Sequence, residues 1–163
     1  MKIIYLRYKG EKSQEINRKG FMKKILILLF FLLYSMSIFA EPLNVTIEIS
    51  EVLLDKGKLI IAIYNSKKNY KDNIPYKELK AESTSETICI NEPLPSGEYV
   101  ISIFQDKNGN GKLDTRIFRI PKEPIGFTNY FRKTIPGGWR KLKVEINEDN
   151  DYIKIKMIHF GGK

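Results

Sequence analysis

From residue 43 onward, apolar and polar residues alternate with a period of two. In "LNVTIEIS", Leu43, Val45, Ile47 and Ile49 fall on one face and Asn44, Thr46 and Glu48 on the other. Successive side chains of a strand point to opposite faces, so this pattern predicts a half-buried strand. The alternation returns in "KLIIAIYN" (58–65), "ETICIN" (86–91), "GEYVISIFQ" (97–105), "KLKVEIN" (141–147) and "DYIKIKMIHF" (151–160). Asp55-Lys56-Gly57 reads as the turn into the second strand, and "NEDND" between the last two predicts a hairpin. The one helical candidate, "YKDNIPYKELKAES", is interrupted by Pro75. These elements predict an all-β fold: a single antiparallel β-sandwich, an Ig-like or transthyretin-like Greek key, with one long irregular loop.

Before residue 43 the pattern is different. Met22-Lys23-Lys24 precedes an apolar run of 15 residues, Ile25 to Phe39, which ends at Ala40-Glu41-Pro42. A cationic start, a short apolar stretch and a small residue at the break describe a secretory signal peptide, and the run is shorter than the roughly 20 residues a membrane-spanning helix needs. The expected organisation is therefore an N-terminal extension 1–21 from a misassigned start, a signal peptide 22–40, and a β-sandwich domain 41–163. That places the protein outside the cytoplasm, in a periplasm or secreted, with no stable membrane span once the signal is cleaved.

Removing the first 40 residues changes the charge argument. They hold eight Lys+Arg and two Asp+Glu, so the formal +9 of the whole chain falls to +3 for residues 41–163. A nucleic-acid partner inferred from the overall basicity would rest on the leader, and none is expected. Export implies an oxidising compartment, yet Cys89 is the only cysteine, so this is no disulfide scaffold.

The alternation also breaks between Asp106 and Arg140, a stretch of 35 residues. That is longer than a plain connection between strands. It carries eight Lys+Arg against three Asp+Glu, together with Phe118, Phe127, Tyr130, Phe131 and Trp139. Two readings of its rings are open. Phe127, Tyr130, Phe131, Arg132, Trp139 and Arg140 could form a ligand surface for a protein or carbohydrate partner, or the rings could tuck the loop onto the sandwich.

The excursion begins with "DKNGNGKLD" (106–114), whose Asp106, Asn108, Asn110, Gly111 and Asp114 follow the first nine positions of a calcium loop. Calcium takes six to eight hard oxygens, and alternate side chains of a tightly curled loop can all turn inward. Lys112 would offer its carbonyl, and Gly111 the sharp turn. Position twelve is Ile117 rather than a bidentate Glu, so a distant carboxylate must close the shell, and Glu123 is the nearest. With so few carboxylates, calcium should bind weakly, on the order of 10⁻⁴–10⁻³ M. The competing reading is a bare turn, since Asn108-Gly109 is itself a strong hairpin signal.

Catalytic residues are scarce. His159 is the only histidine and reads as a surface or packing residue; Cys89 reads as a quiet thiol under the long excursion. A non-enzymatic exported module is the leading expectation. The alternatives are a metal-assisted hydrolase using Asp106, Asp114 and Glu123, or a structural protein of the cell envelope.

Three elements in order, Leu94-Pro95-x-Gly97-x-Tyr99, the Asp/Asn run 106–114, and Ile120-Pro121-x-Glu123-Pro124-x-Gly126-Phe127, give the chain a family likeness. From about Leu43 to Ile158 it resembles an uncharacterised exported bacterial family, the domain-of-unknown-function family numbered 2141. The resemblance implies an exported, periplasmic β-sandwich and transfers no catalytic residue. It does put Glu123 in the same signature as the Asp/Asn loop. The stretch "RKTIPGGWRK" is more basic than that family's pattern. The turn-and-strand phrase also looks like loops in transthyretin-like and adhesin B-type sandwiches, an analogy of fold only.

Overall fold

Eight strands in two sheets make up the domain in the computed structural model, which describes residues 22–30, 41–132, 134 and 136–160. The chain divides into two compact units, Met1–Ala40 and Glu41–Lys163. In the first, residues 22–30 form a helix, α1. The expected extension 1–21 and the break after Ala40 lie outside the described residues. No described helix is long and apolar enough to cross a membrane.

In the second unit the strands are β1 (Leu43–Ser50), β2 (Lys58–Tyr64), β3 (Lys77–Ala81), β4 (Thr87–Leu94), β5 (Gly97–Asp106), β6 (Ile125–Phe127), β7 (Val144–Ile146) and β8 (Tyr152–Lys156). One sheet has the order β4-β1-β8, the other β3-β2-β5-β6 with β7 also paired to β5, and neither closes into a barrel. Two short α-helices, α2 (Lys67–Asp72) and α3 (Trp139–Leu142), and a 3-10 turn at Ile117–Arg119 complete the unit. Ser66 caps α2, its Oγ accepting from the Asn69 N–H at 3.2 Å.

The period-two alternation places the core. Val45, Ile47 and Ile49 of β1, Leu59, Ile61 and Ile63 of β2, Ile101 and Ile103 of β5, and Ile153 and Ile155 of β8 are buried in one cluster contributed by both sheets. Burying each such side chain contributes about 1.5–3 kcal/mol. The five-stranded sheet is buried on its second face as well. There Tyr64, Val100, Ile125, Tyr130, Trp139, Leu142 and Ile158 form a separate cluster. This second cluster explains why β2 reads "LIIAIY" rather than a clean alternation.

Several expectations need correction. The expected hairpin of 141–147 and 151–160 does not form, because β7 pairs with β5 and β8 with β1. The turn itself is present, with Asn147 bridging Asn150, but its two arms enter different sheets. Nor is the first arm a strand throughout, since Trp139–Leu142 is helical and only Val144–Ile146 is extended. Leu142 therefore shares parity with Val144 and Ile146 but packs in the other cluster. The β1–β8 pair is parallel, so the sheets are not wholly antiparallel. The helical candidate splits at Pro75, with α2 ending just before it and β3 starting just after. β4 continues past the expected end through Pro93, which an edge strand tolerates because one of its sides needs no N–H donor. Cys89 does not lie under the excursion; it is exposed on that edge strand, in register with Glu48.

Leu94-Pro95-x-Gly97-x-Tyr99 marks the crossing from one sheet to the other. The Tyr99 hydroxyl, at the start of β5, donates back to the Pro95 carbonyl at 2.9 Å. Its ring is buried in the main core, and burial pushes its phenol pKa up, with a smaller contribution from Tyr76. Tyr99→Phe should keep the packing and lose that bond, lowering stability by about 1 kcal/mol. A urea midpoint indistinguishable from that of the parent protein would show that the bond contributes nothing.

Candidate functional site

Asp106 is the last residue of β5, held in register opposite Lys58 of β2, and it is buried. Its carboxylate anchors the curl that follows: Oδ1 accepts from the Asn110 N–H at 3.1 Å and Oδ2 from the Gly111 N–H at 2.8 Å. Asn and Asp favour such turns because their side chains mimic backbone acceptors. The Asn108 side-chain Oδ1 also accepts from the Asn110 N–H (3.1 Å), and the Asn110 Oδ1 accepts from the Lys112 N–H (2.8 Å). Asp114 closes the curl, its Oδ2 receiving the side-chain amides of Asn108 at 2.6 Å and Asn110 at 3.2 Å.

Asp106, Asn108, Asn110 and Asp114 are thus tied into one curl by hydrogen bonds. Glu123 is drawn in differently. It is buried, and its Oε1 accepts from the Lys107 N–H at 2.8 Å while Oε2 accepts from the Asp114 N–H at 3.1 Å. One carboxylate therefore clasps the start and the end of the curl. The backbone reinforces it, with the Lys122 N–H donating to the Asp114 carbonyl at 2.9 Å and Thr115 bridging Pro121. No three acidic, histidine or cysteine side chains among the described residues gather as a metal cluster, so Asp106, Asp114 and Glu123 are not one acidic nest. Within the curl the side-chain oxygens of Asp106, Asn108 and Asn110 accept backbone N–H groups, and Asp114 Oδ2 accepts the two side-chain amides. Lys112 is exposed beside them.

Beyond the clasp the excursion returns to the sheet. β6 pairs with β5 through Ser102↔Phe127 and Phe104↔Ile125, so the strand that returns along β5 after the curl is 125–127. Gly126 permits a close approach, since a Cβ there would lie 2.8 Å from Ile155 Cγ2 and 2.9 Å from Met157 Sδ. Thr128 is buried, and its hydroxyl donates to the Leu142 carbonyl at 2.6 Å.

The rings of the excursion divide between two roles. Tyr130 and Trp139 are buried in the second cluster, with Phe127 packed against it, so they hold the segment on the sheet. Phe127 meets Tyr130 edge-on at 5.8 Å, and Tyr70 of α2 lies 6.3 Å from Trp139. Burial raises the phenol pKa of Tyr64, Tyr70 and Tyr130 alike, against a lowering hydrogen bond at Tyr64 and at Tyr130. Phe131, Arg132 and Arg140 are exposed. Tyr130, Phe131 and Arg132 line a shallow cavity of about 300 Å³ with Asn129, Gly137 and Lys141. Lys133 and Ile135, in the same stretch, lie outside the described residues. His159 is half-buried, its Nε2 2.9 Å from the Glu51 carbonyl.

Sequence reasoning missed two residues that position the loop. Gln105 is fully buried, and its side-chain amide meets the backbone of Leu53 twice, Nε2 donating to the carbonyl at 2.6 Å and Oε1 accepting from the N–H at 3.0 Å. Gln105 shares parity with Tyr99, Ile101 and Ile103, so a polar residue in phase with the core was the available signal. Gly57 precedes β2 with φ +90° and lies so close to the Asp106 carbonyl that a Cβ would sit 1.9 Å from its oxygen.

No curated protein and no solved structure matches the chain at a significant level. One family model does, described as "Uncharacterized protein conserved in bacteria (DUF2141)", and it spans residues 47–154, from within β1 to within β8. That span takes in the Tyr99 crossing, the Asp/Asn curl and the Glu123 clasp, and the chain belongs to this family.

Proposed function

We propose that this is an exported, non-enzymatic module of Ig-like Greek-key type, whose Asp106–Asp114 curl binds calcium weakly and so orders the excursion for a partner. The observation that carries the proposal is that Asp106, Asn108, Asn110 and Asp114 are tied into one tight curl by hydrogen bonds, Asp106 through backbone N–H groups and Asp114 through the two Asn side chains. Two amide N–H groups crowd onto Asp114 Oδ2, the kind of positive partner that a cation supplies more strongly. Calcium suits such a loop because it accepts mixed carboxylate, amide and backbone oxygens in flexible geometry. The donor set holds only two carboxylates, Asp106 and Asp114, which supports a weak site of the sort filled outside cells.

The non-enzymatic reading rests on how the carboxylates are used. Every oxygen of Asp106 and Glu123 already holds a backbone N–H, which suits a scaffold rather than a base or nucleophile. Export is supported by the cationic start and short apolar run of residues 22–40. Greek-key topology is supported by the Tyr99 hydroxyl bonding back across the inter-sheet crossing. The exposed Phe131, Arg132 and Arg140 are the surface offered to a protein or carbohydrate partner.

Thermal melting tests the calcium reading. At about ten times Kd, calcium should stabilise the fold by about 1.4 kcal/mol, a rise of about 5 °C in Tm. Magnesium at equal ionic strength should give less, because it demands near-ideal octahedral geometry. Asp114→Ala and Asp106→Ala should each abolish the calcium response. An unchanged Tm for the parent protein in calcium would leave a turn and nothing more.

A further inference from the structure

Lys56 in the β1–β2 turn, Lys107 at the start of the curl, and Arg116 and Lys122 further along the excursion come from chain segments up to 66 residues apart, yet they line one groove of about 730 Å³. That volume falls within the range of small-molecule clefts, roughly 300–1,000 Å³. None of the four cations has an ion-pair partner among the described residues; the ion pairs recorded there are Lys58–Glu82, Lys77–Glu92, Lys143–Glu98 and Lys156–Glu51. The groove holds two carboxylates against four cations, and one of these, Glu51, is already paired with Lys156 at 3.6 Å. Val52, Leu53, Pro124 and Phe160 give the wall an apolar part, the first and third buried and the others half-buried, and Ser50, Thr87 and His159 complete the lining.

We infer that this groove binds a small amphiphilic anion, its phosphate or carboxylate head among Lys56, Lys107, Arg116 and Lys122 and its apolar body against Leu53 and Phe160. Converging cations in a concave site with low-dielectric walls focus positive potential and raise the local concentration of anions. Arg116 adds a planar fork that matches phosphate or carboxylate oxygens in pairs. Concavity separates this site from a flat basic face, which would lie on an anionic membrane and enclose nothing. Calcium in the curl is not required, since the clasp by Glu123 already fixes where Lys107 leaves the sheet.

Hexyl phosphate, hexanoate, hexanol and inorganic phosphate are the probes, titrated into the full chain by calorimetry with EDTA present. Hexyl phosphate should bind best, hexanoate more weakly because it carries less charge, and hexanol not measurably. The combined Lys107→Glu, Arg116→Glu and Lys122→Glu variant should lose at least about tenfold in affinity, and high salt should act in the same direction. Lys56→Glu lies outside the excursion, so it tests the same site if the triple variant fails to fold. Phe160→Ala should weaken hexyl phosphate and leave inorganic phosphate unchanged, which marks the apolar wall as part of the site. Hexyl phosphate bound no better than hexanol overturns the proposal, as does affinity unmoved by Lys56→Glu. Binding to phosphatidylglycerol vesicles without binding to hexyl phosphate overturns it in favour of a membrane surface.

Discussion

Gly57→Ala should be among the most damaging single changes in the domain, costing on the order of 3–5 kcal/mol. Two effects add. At φ +90° an L-residue is strained, which alone costs about 1–2 kcal/mol. The new methyl would also sit 1.9 Å from the Asp106 carbonyl oxygen and 2.8 Å from its carbon. Both are backbone atoms of a paired strand, so no flexible side chain can swing aside to make room. The exit of β5 must move, and the Asp106 and Lys107 positions that anchor the curl move with it. Gly109 and Gly111 supply the control. Their φ values, +71° and +72°, carry the same handedness, but nothing lies within 4 Å of either missing Cβ. Gly109→Ala should therefore show the backbone cost of about 1–2 kcal/mol and no more. Equal urea midpoints for Gly57→Ala and Gly109→Ala would mean that the close approach is not what constrains residue 57.

Much of the fold was legible because period two is a direct consequence of strand geometry. Val45, Ile47 and Ile49, or Ile153 and Ile155, need only one buried face to be read, and each is buried where expected. What sequence did not reveal is pairing. A tight turn at Asn147–Asn150 looks the same whether its arms join each other or pass to separate sheets, and only the packing of whole faces decides. β3 was hidden for another reason. "KELKA" is an edge strand with no fully buried residue, so charged side chains that favour helices in isolation sit there without penalty. β6 is only three residues long and buried on both faces, too short to show any period.

Of the candidate site, the sequence made the curl itself legible. The spacing of Asp106, Asn108, Asn110 and Asp114 marked a tightly curled loop, and hydrogen bonds tie these residues into one curl. The excursion's rings divide in a way composition cannot foresee. Whether a ring meets water depends on how the return strand β6 registers on β5, which buries Tyr130 and Trp139 and leaves Phe131 outside. The basic groove was invisible as a unit, because Lys56 and Lys107 meet only through the β2–β5 pairing that sets Lys58 opposite Asp106. The same short region of β5 thus fixes the curl on one side and the groove on the other.

Glu123→Ala carries the second large effect, and it tests whether the excursion is clasped or merely connected. The carboxylate is buried and accepts the N–H groups of Lys107 and Asp114, residues seven apart along the curl. Hydrogen bonds to a charged acceptor are worth about 1.5–3 kcal/mol each, and a buried donor left alone costs about 1–3 kcal/mol. These values overlap and do not simply add, so the expected loss is on the order of 3 kcal/mol. Glu123→Gln should cost about half as much, because one oxygen still accepts while the new NH₂ faces a donor. Glu123→Asp should resemble alanine more than glutamine, being one methylene too short to reach both ends. Amide exchange separates this from general destabilisation. Lys107 and Asp114 N–H should lose protection in all three variants, while the amides joining β1 to β4 exchange as before under native conditions. Protection at Lys107 and Asp114 that survives Glu123→Ala would show that the curl holds itself, through Asp106 alone, and that Glu123 is a passenger.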